Sequence, residues 1–197
     1  MEFIAGRRNL ICALDWGIGH ASRSLALAQR LVQNGEQVDF AAAGNALKML
    51  QREWSVPALF HQLAAYNIDY RSSNMVVNIG RQLPRILRVI FQERQQLNTI
   101  LTTQQYDRII SDSRFGCYSK AVPSVMLTHQ LHPIFGLPLV GGIYRSYLQN
   151  NFGEFWVPDY APPMNLSGAL STLSGYKTVS YIGPLSRLSN KPTTSEQ

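Results

Sequence analysis

The chain has 197 residues and a mass of 22.1 kDa, the size of one large domain or at most two small ones. Its 45% apolar content is ordinary globular usage, which excludes a disordered chain, a collagen-like repeat and a disulfide scaffold. A net charge of +6, from 18 Lys and Arg against 12 Asp and Glu, favours anionic partners: phosphorylated small molecules, anionic lipid surfaces or nucleic acid.

Only Lys48, Lys120, Lys177 and Lys191 among those 18 cations are lysines. Arginine suits planar recognition of phosphate or carboxylate, and the chain has no basic run of five, which argues against nucleic acid. Cys12 and Cys117 are too few for a Cys-built zinc site and form no CxxC pair. Both lie in or beside apolar runs, as expected of a reduced, intracellular protein. The longest apolar runs have strand length, so no membrane span is expected. The run after Arg7 and Arg8 breaks at Asp15 without a small-residue cleavage site, which argues against a signal peptide. The expected location is cytoplasmic.

In chain order, residues 9–14 read as a buried strand ending at Asp15, followed by the turn Trp16-Gly17-Ile18-Gly19-His20. Residues 21–34 place Leu25, Ala28, Leu31 and Val32 at helical spacing, with Gly35 as the stop. A second strand is expected over 37–43, then a helix capped by Asn45 and running to about Trp54, then a weaker strand over 58–63. The segment 66–79 reads as loop with one short helix. Residues 82–102 read as a long helix with Pro84 in its first turn. Further strands are expected at 108–111, 124–127, 155–157 and 178–182, with a helix over 141–150. Alternating strands and helices with short connections predict an α/β, Rossmann-like parallel sheet with helices on both faces. It is expected over residues 1–185, with 186–197 as a polar linker or tail.

In an open parallel sheet, ligands bind beyond the carboxyl ends of the strands. Asp15, the Gly17/Gly19 turn, Gly44, Asp112 and His129 all fall there on this reading. The glycines let backbone approach a ligand, and the helix start offers free amide donors to an anion. Ser22 in the sixth position, and no acid closing the second strand, argue against a nicotinamide or flavin site; no GK[ST] follows, which excludes a Walker loop. His20 sits at the first turn of a helix, where the dipole disfavours imidazolium, a placement suited to accepting a proton. Asp112 reads either as a cap for the next turn or as a carboxylate partner for sugar hydroxyls or for His20, and His129-Gln130 admits both readings. His20, Asp112 and His129 share no metal-ligand spacing, so no metal site is expected. Arg81, Arg85 and Arg88 form one basic stripe, roughly opposite Leu83, Ile86, Ile90 and Leu97. A solvated face is the commoner origin of such a stripe, and an interfacial helix on anionic lipid is the alternative.

The segment Asp15-Trp16-Gly17-Ile18-Gly19-His20-Ala21-Ser22-Arg23 resembles the D-W-G-x-G-H-[AG]-[TS]-R turn of bacterial GT-B glycosyltransferase-like proteins. Their relatives include the peptidoglycan N-acetylglucosaminyltransferase and the UDP-sugar hydrolase of the pseudaminic acid pathway. Residues 110–116, 123–125 with Thr128-His129-Gln130, 166–168 and 181–187 extend the resemblance over nearly the whole chain. It implies the N-terminal, acceptor-side half of a GT-B fold, with residues 183–187 where such chains leave the first domain. A nucleotide-sugar donor would be held by a C-terminal domain this chain lacks, so the chain alone is expected to be inactive. The acceptor would be a sugar or a lipid-linked sugar, with peripheral contact at the inner face of the membrane. The resemblance makes His20 the candidate general base. The candidate substrate-binding set is Asp15, Gly17, Gly19, Arg23, Asp112, Arg114, His129 and Gln130. Transfer in this family needs no metal or other cofactor, and Asp112 with Arg114 offers no DxD motif. The competing expectations are a nucleotide-sugar hydrolase, and a non-catalytic Rossmann-like module for an anionic ligand or partner.

Overall fold

A computed structural model describes residues 4–67, 75–129, 131, 138–166, 176 and 178–185. They form a seven-stranded sheet in which every neighbouring pair is parallel, in the order β3-β2-β1-β4-β5-β6-β7. The strands are β1 Arg8–Ala13, β2 Gln37–Ala42, β3 Phe60–Gln62, β4 Arg108–Asp112, β5 Ser124–Leu127, β6 Glu154–Val157 and β7 Val179–Tyr181. The helices are α1 Ile18–Gln33, α2 Gly44–Glu53, α3 Met75–Thr103 and α4 Pro138–Asn151.

The central strands are apolar along most of their length because both faces are covered. Ile11 and Ala13 of β1 pack with Leu25, Leu27, Leu31 and Leu50 of α1 and α2. Leu10 and Cys12 face the other way, against Leu97 and Ile100 of α3. Met126 of β5 and Phe155 and Val157 of β6 pack on Leu148 of α4. Period-two strands between two helical layers therefore account for these three core clusters.

The chain lays β2 and β3 on one side of β1, then crosses to β4 on the other side and continues outward. The order reverses between β1 and β4, and at such a switch point the connections diverge and leave a crevice beyond the carboxyl ends. Pairing of Ala13 with Asp112 brings those two strand ends level.

Several boundaries differ from expectation. α3 begins at Met75, so Pro84 lies well inside the helix rather than in its first turn. Pro84 is exposed there, and its missing amide interrupts one rung of a 29-residue helix without ending it. α2 starts at Gly44 with extended Ala43 as its cap residue and no side-chain cap, so Asn45 lies inside the helix. β3 spans three residues only, as an edge strand paired on one side. Gln130, residues 68–74, 167–168 and the expected tail 186–197 lie outside the described residues.

Candidate active site at the β1–β4 switch point

The site begins with the way α1 starts. Gly17 precedes the helix at φ 88°, a conformation that an L side chain rarely adopts, and nothing lies within 4 Å of where its Cβ would be. No side chain caps α1 and no acid occupies its first turn, so the first amides point into an open rim. Gly19 is equally unobstructed. His20, Arg23 and Ser24 follow at i, i+3 and i+4, which places them on one face of the helix. Ala21, Leu25 and Ala28, buried in the core, turn that face toward the end of β4.

Asp112 is where they meet. Its carboxylate has no solvent exposure and accepts hydrogen bonds from three side chains of α1. Arg23 Nε lies 2.9 Å from both carboxylate oxygens, and Nη2 also contacts Oδ1. Ser24 donates to Oδ2 at 3.1 Å, and His20 Nδ1 lies 3.0 Å from Oδ1. Burial alone would push the Asp112 carboxyl up, but the Arg23 guanidinium and the hydrogen bonds from His20 and Arg23 hold it below the usual carboxylate range. Asp112 is therefore an anion at neutral pH, matched by one cation.

Arg23 reaches further. Its Nη1 lies 3.2 Å from His129 Nδ1, and its Nη2 lies 3.3 Å from Ser113 Oγ. An arginine can only donate, so His129 accepts at Nδ1 and carries its proton on Nε2. Burial, then the neighbouring Arg23 guanidinium, push the His129 imidazole below its ordinary pKa and keep it neutral. Ser113 itself has a positive φ of 58°, at the bend just beyond β4.

Asp15 and Arg114 sit beneath the rim rather than on it. Arg114 is fully buried and donates to the Ala13 carbonyl at 2.7 Å, to Ala64 O at 3.0 Å, to Glu93 Oε1 at 2.8 Å and to Asp15 Oδ1 at 3.2 Å. The other Asp15 oxygen accepts the Tyr66 amide at 3.1 Å. Glu93, also fully buried, takes the Tyr66 hydroxyl at 3.0 Å and the Gly116 amide at 2.9 Å. This knot ties β1, the loop after β4 and α3 into one support under the His20 turn. Its donors and acceptors face each other, so Arg114 has no free edge to offer a substrate.

The structure thus brings His20, Arg23, Asp112 and His129 together at the rim, with Gly17 and Gly19 opening the approach. Ser24 and Ser113 belong to the same cluster, although the sequence pattern singles out neither. Only the i, i+4 spacing of His20 and Ser24 hints at the first. Among the described residues, no group of three or more His, Cys, Asp or Glu could hold a metal ion. A cavity of about 380 Å³ lies at the opposite, amino edge of the sheet, between Arg7, Asp107, Arg108, Ser124 and Glu154.

No family model matches the chain, and no curated protein sequence matches it. Solved structures do. The Phytolacca americana enzyme UGT2, solved with UDP-2-fluoroglucose and pterostilbene, superposes with a TM-score of 0.60 at 14% identity, over 94% of this chain and 55% of that one. The glycosyltransferase of kitacinnamycin gives 0.59 at 15% identity, over 98% of this chain and 56% of its own. CalG4, the calicheamicin glycosyltransferase, gives 0.58 at 13% identity, over 90% and 53%. The fold is therefore that of one half of a GT-B glycosyltransferase. More particularly, it is a seven-stranded Rossmann-like half, and the chain spans about half the length of those enzymes.

Proposed function

We propose that this chain is the acceptor-side half of a glycosyltransferase that uses a nucleotide-sugar donor, with His20 as its general base. The observation that carries the reading is the 3.0 Å contact between His20 Nδ1 and the buried Asp112 carboxylate at the switch-point crevice. A carboxylate facing Nδ1 keeps the ring proton there and leaves Nε2 as a lone pair directed away from Asp112. Nε2 can then take the proton of an acceptor hydroxyl while its oxygen bonds to the anomeric carbon of the donor. The bond from that carbon to the departing nucleoside diphosphate breaks in the same event. The imidazolium formed would lie beside Asp112, whose charge it shares with Arg23. His129, with its proton on Nε2, is placed to donate to an acceptor oxygen and fix its orientation. The donor would be bound by a second domain, as the half-length match to complete enzymes suggests.

Arg23 Nη2 also lies 2.8 Å from His20 Nδ1, and Nδ1 cannot both accept from Arg23 and donate to Asp112. Arg23 has other acceptors in Asp112, Ser113 and His129, whereas a bare Nδ1 would set its lone pair against a carboxylate oxygen. The proton therefore belongs on Nδ1. Nitrogen-15 NMR of the imidazoles tests this on the chain as it stands, and the expected result is the Nδ1–H tautomer for His20. An Nε2–H tautomer would remove the base and overturn the reading. In the chain joined to its donor domain, His20→Asn should cost about a hundred- to ten-thousandfold in the rate of transfer.

A further inference from the structure

We infer that the cavity at the amino edge of the sheet is a second binding site, for a basic α-amino acid. Its volume, about 380 Å³, falls in the range of small-molecule sites, roughly 300–1,000 Å³. β4 keeps it apart from the switch-point crevice: Arg108 opens that strand and Asp112 closes it, about 13 Å away at the rise of a strand. Buried Arg108 forms part of the cavity wall. Its guanidinium lies over the Trp156 ring at 4.8 Å, and donates from Nε to Asn9 Oδ1 at 2.8 Å and from Nη2 to Glu36 Oε2 at 2.6 Å. The Glu36 carboxylate matches its charge, so Arg108 shapes the wall and leaves the charge balance to its neighbours.

That balance is uneven. Arg7 stands against two acids, Asp107 and Glu154, which leaves one negative charge in excess. Each acid is oriented by a neutral donor: the Arg8 amide reaches Asp107 Oδ2 at 2.7 Å, and Trp156 Nε1 reaches Glu154 Oε2 at 3.1 Å. Among the described residues, neither carboxylate forms an ion pair, and the second oxygen of each accepts no hydrogen bond from the chain. The sheet fixes where these charges lie. Arg7 precedes β1 and Asp107 precedes its neighbour β4, so a cation and an anion stand side by side. Glu154 opens β6, two strand spacings or about 10 Å further along, with Pro123 and Val125 of the β5 column between them. An α-amino acid carries the inverse of the first pair, a carboxylate for Arg7 and an ammonium for Asp107. Its aliphatic stem crosses the apolar middle, and a cationic side-chain end meets Glu154. Lysine and arginine have all three groups, and their single net positive charge offsets the excess in the cavity. A neutral or acidic side chain would leave Glu154 unmatched.

The test is isothermal titration calorimetry of the full chain with L-lysine and L-arginine, beside L-leucine, L-glutamate and cadaverine, which is lysine without its carboxylate. The two basic amino acids should bind. Leucine, glutamate and cadaverine should each be weaker by about ten- to a hundredfold, the worth of one charged hydrogen bond. Glu154→Gln still accepts from Trp156 but removes the charge, so lysine should weaken by about the same factor and lose its advantage over leucine. Arg7→Gln should bring lysine down to the level of cadaverine. Neither side chain is buried, so Tm should hold in both variants. No binding of lysine or arginine at millimolar concentration, or equal binding of leucine or cadaverine to the wild type, would overturn the proposal. Unchanged lysine affinity in either variant would do the same. Binding here is read without any sugar transfer, and the His20 tautomer is read without any amino acid, so the two readings fail separately.

Discussion

Replacing Asp112 with Asn keeps its volume and removes its charge. In the native structure the carboxylate lies wholly out of water, and Arg23 binds it with Nε 2.9 Å from each oxygen. The Arg23 side chain is itself only 13% exposed, so little solvent is available to take over when the anion is gone. Breaking a buried pair from one side costs about 3–5 kcal/mol, because the remaining charge stays desolvated and unpaired. For a chain of this length that is a fall in Tm of roughly 6–20 °C. Acid adds an independent signature. The native Asp112 carboxyl lies below its ordinary 3.8, so the unfolded chain takes up this proton first as pH falls. The contribution of Asp112 to stability is therefore complete above pH 3.8 and drains away below it. Urea unfolding between pH 7 and pH 3 should show this component in the wild type and its loss in Asp112→Asn. A variant within about 1 kcal/mol of wild type would refute the argument, since it would mean that Arg23 is adequately solvated without its partner.

Arg114→Met should destabilise at least as severely, by about 3–5 kcal/mol, because it strands both Glu93 and Asp15; adding Glu93→Gln should recover part of the loss in urea melts. Gly116→Ala would set a Cβ 2.7 Å from Glu93 Cβ and against the Ile90 carbonyl, for a loss of about 1–3 kcal/mol in the same assay. His129 titrates below 6.5 in the native chain, so the unfolded chain protonates first and stability falls as pH drops through 6.5; in His129→Gln that part of the pH dependence should be absent, and proton NMR of the wild type should show the depressed midpoint.

Much of the fold is legible in the sequence for a simple reason. Strands buried on both faces carry an apolar core, and residues 9–14, 37–43, 108–111 and 124–127 each contain one, closed by Asp15, Gly44, Asp112 and Thr128. Elements governed by other forces were harder to place. β3 is a short edge strand with a weak pattern, and α3 extends seven residues before 82 because Arg81 and Gln82 are compatible with either helix or loop. Pro84 suggested a helix start because the missing amide does least harm there, yet an exposed interior position also tolerates it.

The sequence alone determined the strand–helix alternation, the parallel sheet it requires, and the rim on which His20, Asp112 and His129 had to be sought. Which of those residues meet was decided by tertiary structure. Arg23 and Asp112 are 89 residues apart, Asp15 and Arg114 are 99 apart, and neither separation carries a periodic signal. They pair because β4 adds to the sheet directly beside β1, which levels the ends of the two strands and turns one face of α1 onto Asp112. The same register sends Arg114 inward, beneath the turn, to a buried position that its place in a polar loop did not reveal. Charge partners are chosen by strand order in space, and strand order is a property of the packed sheet as a whole.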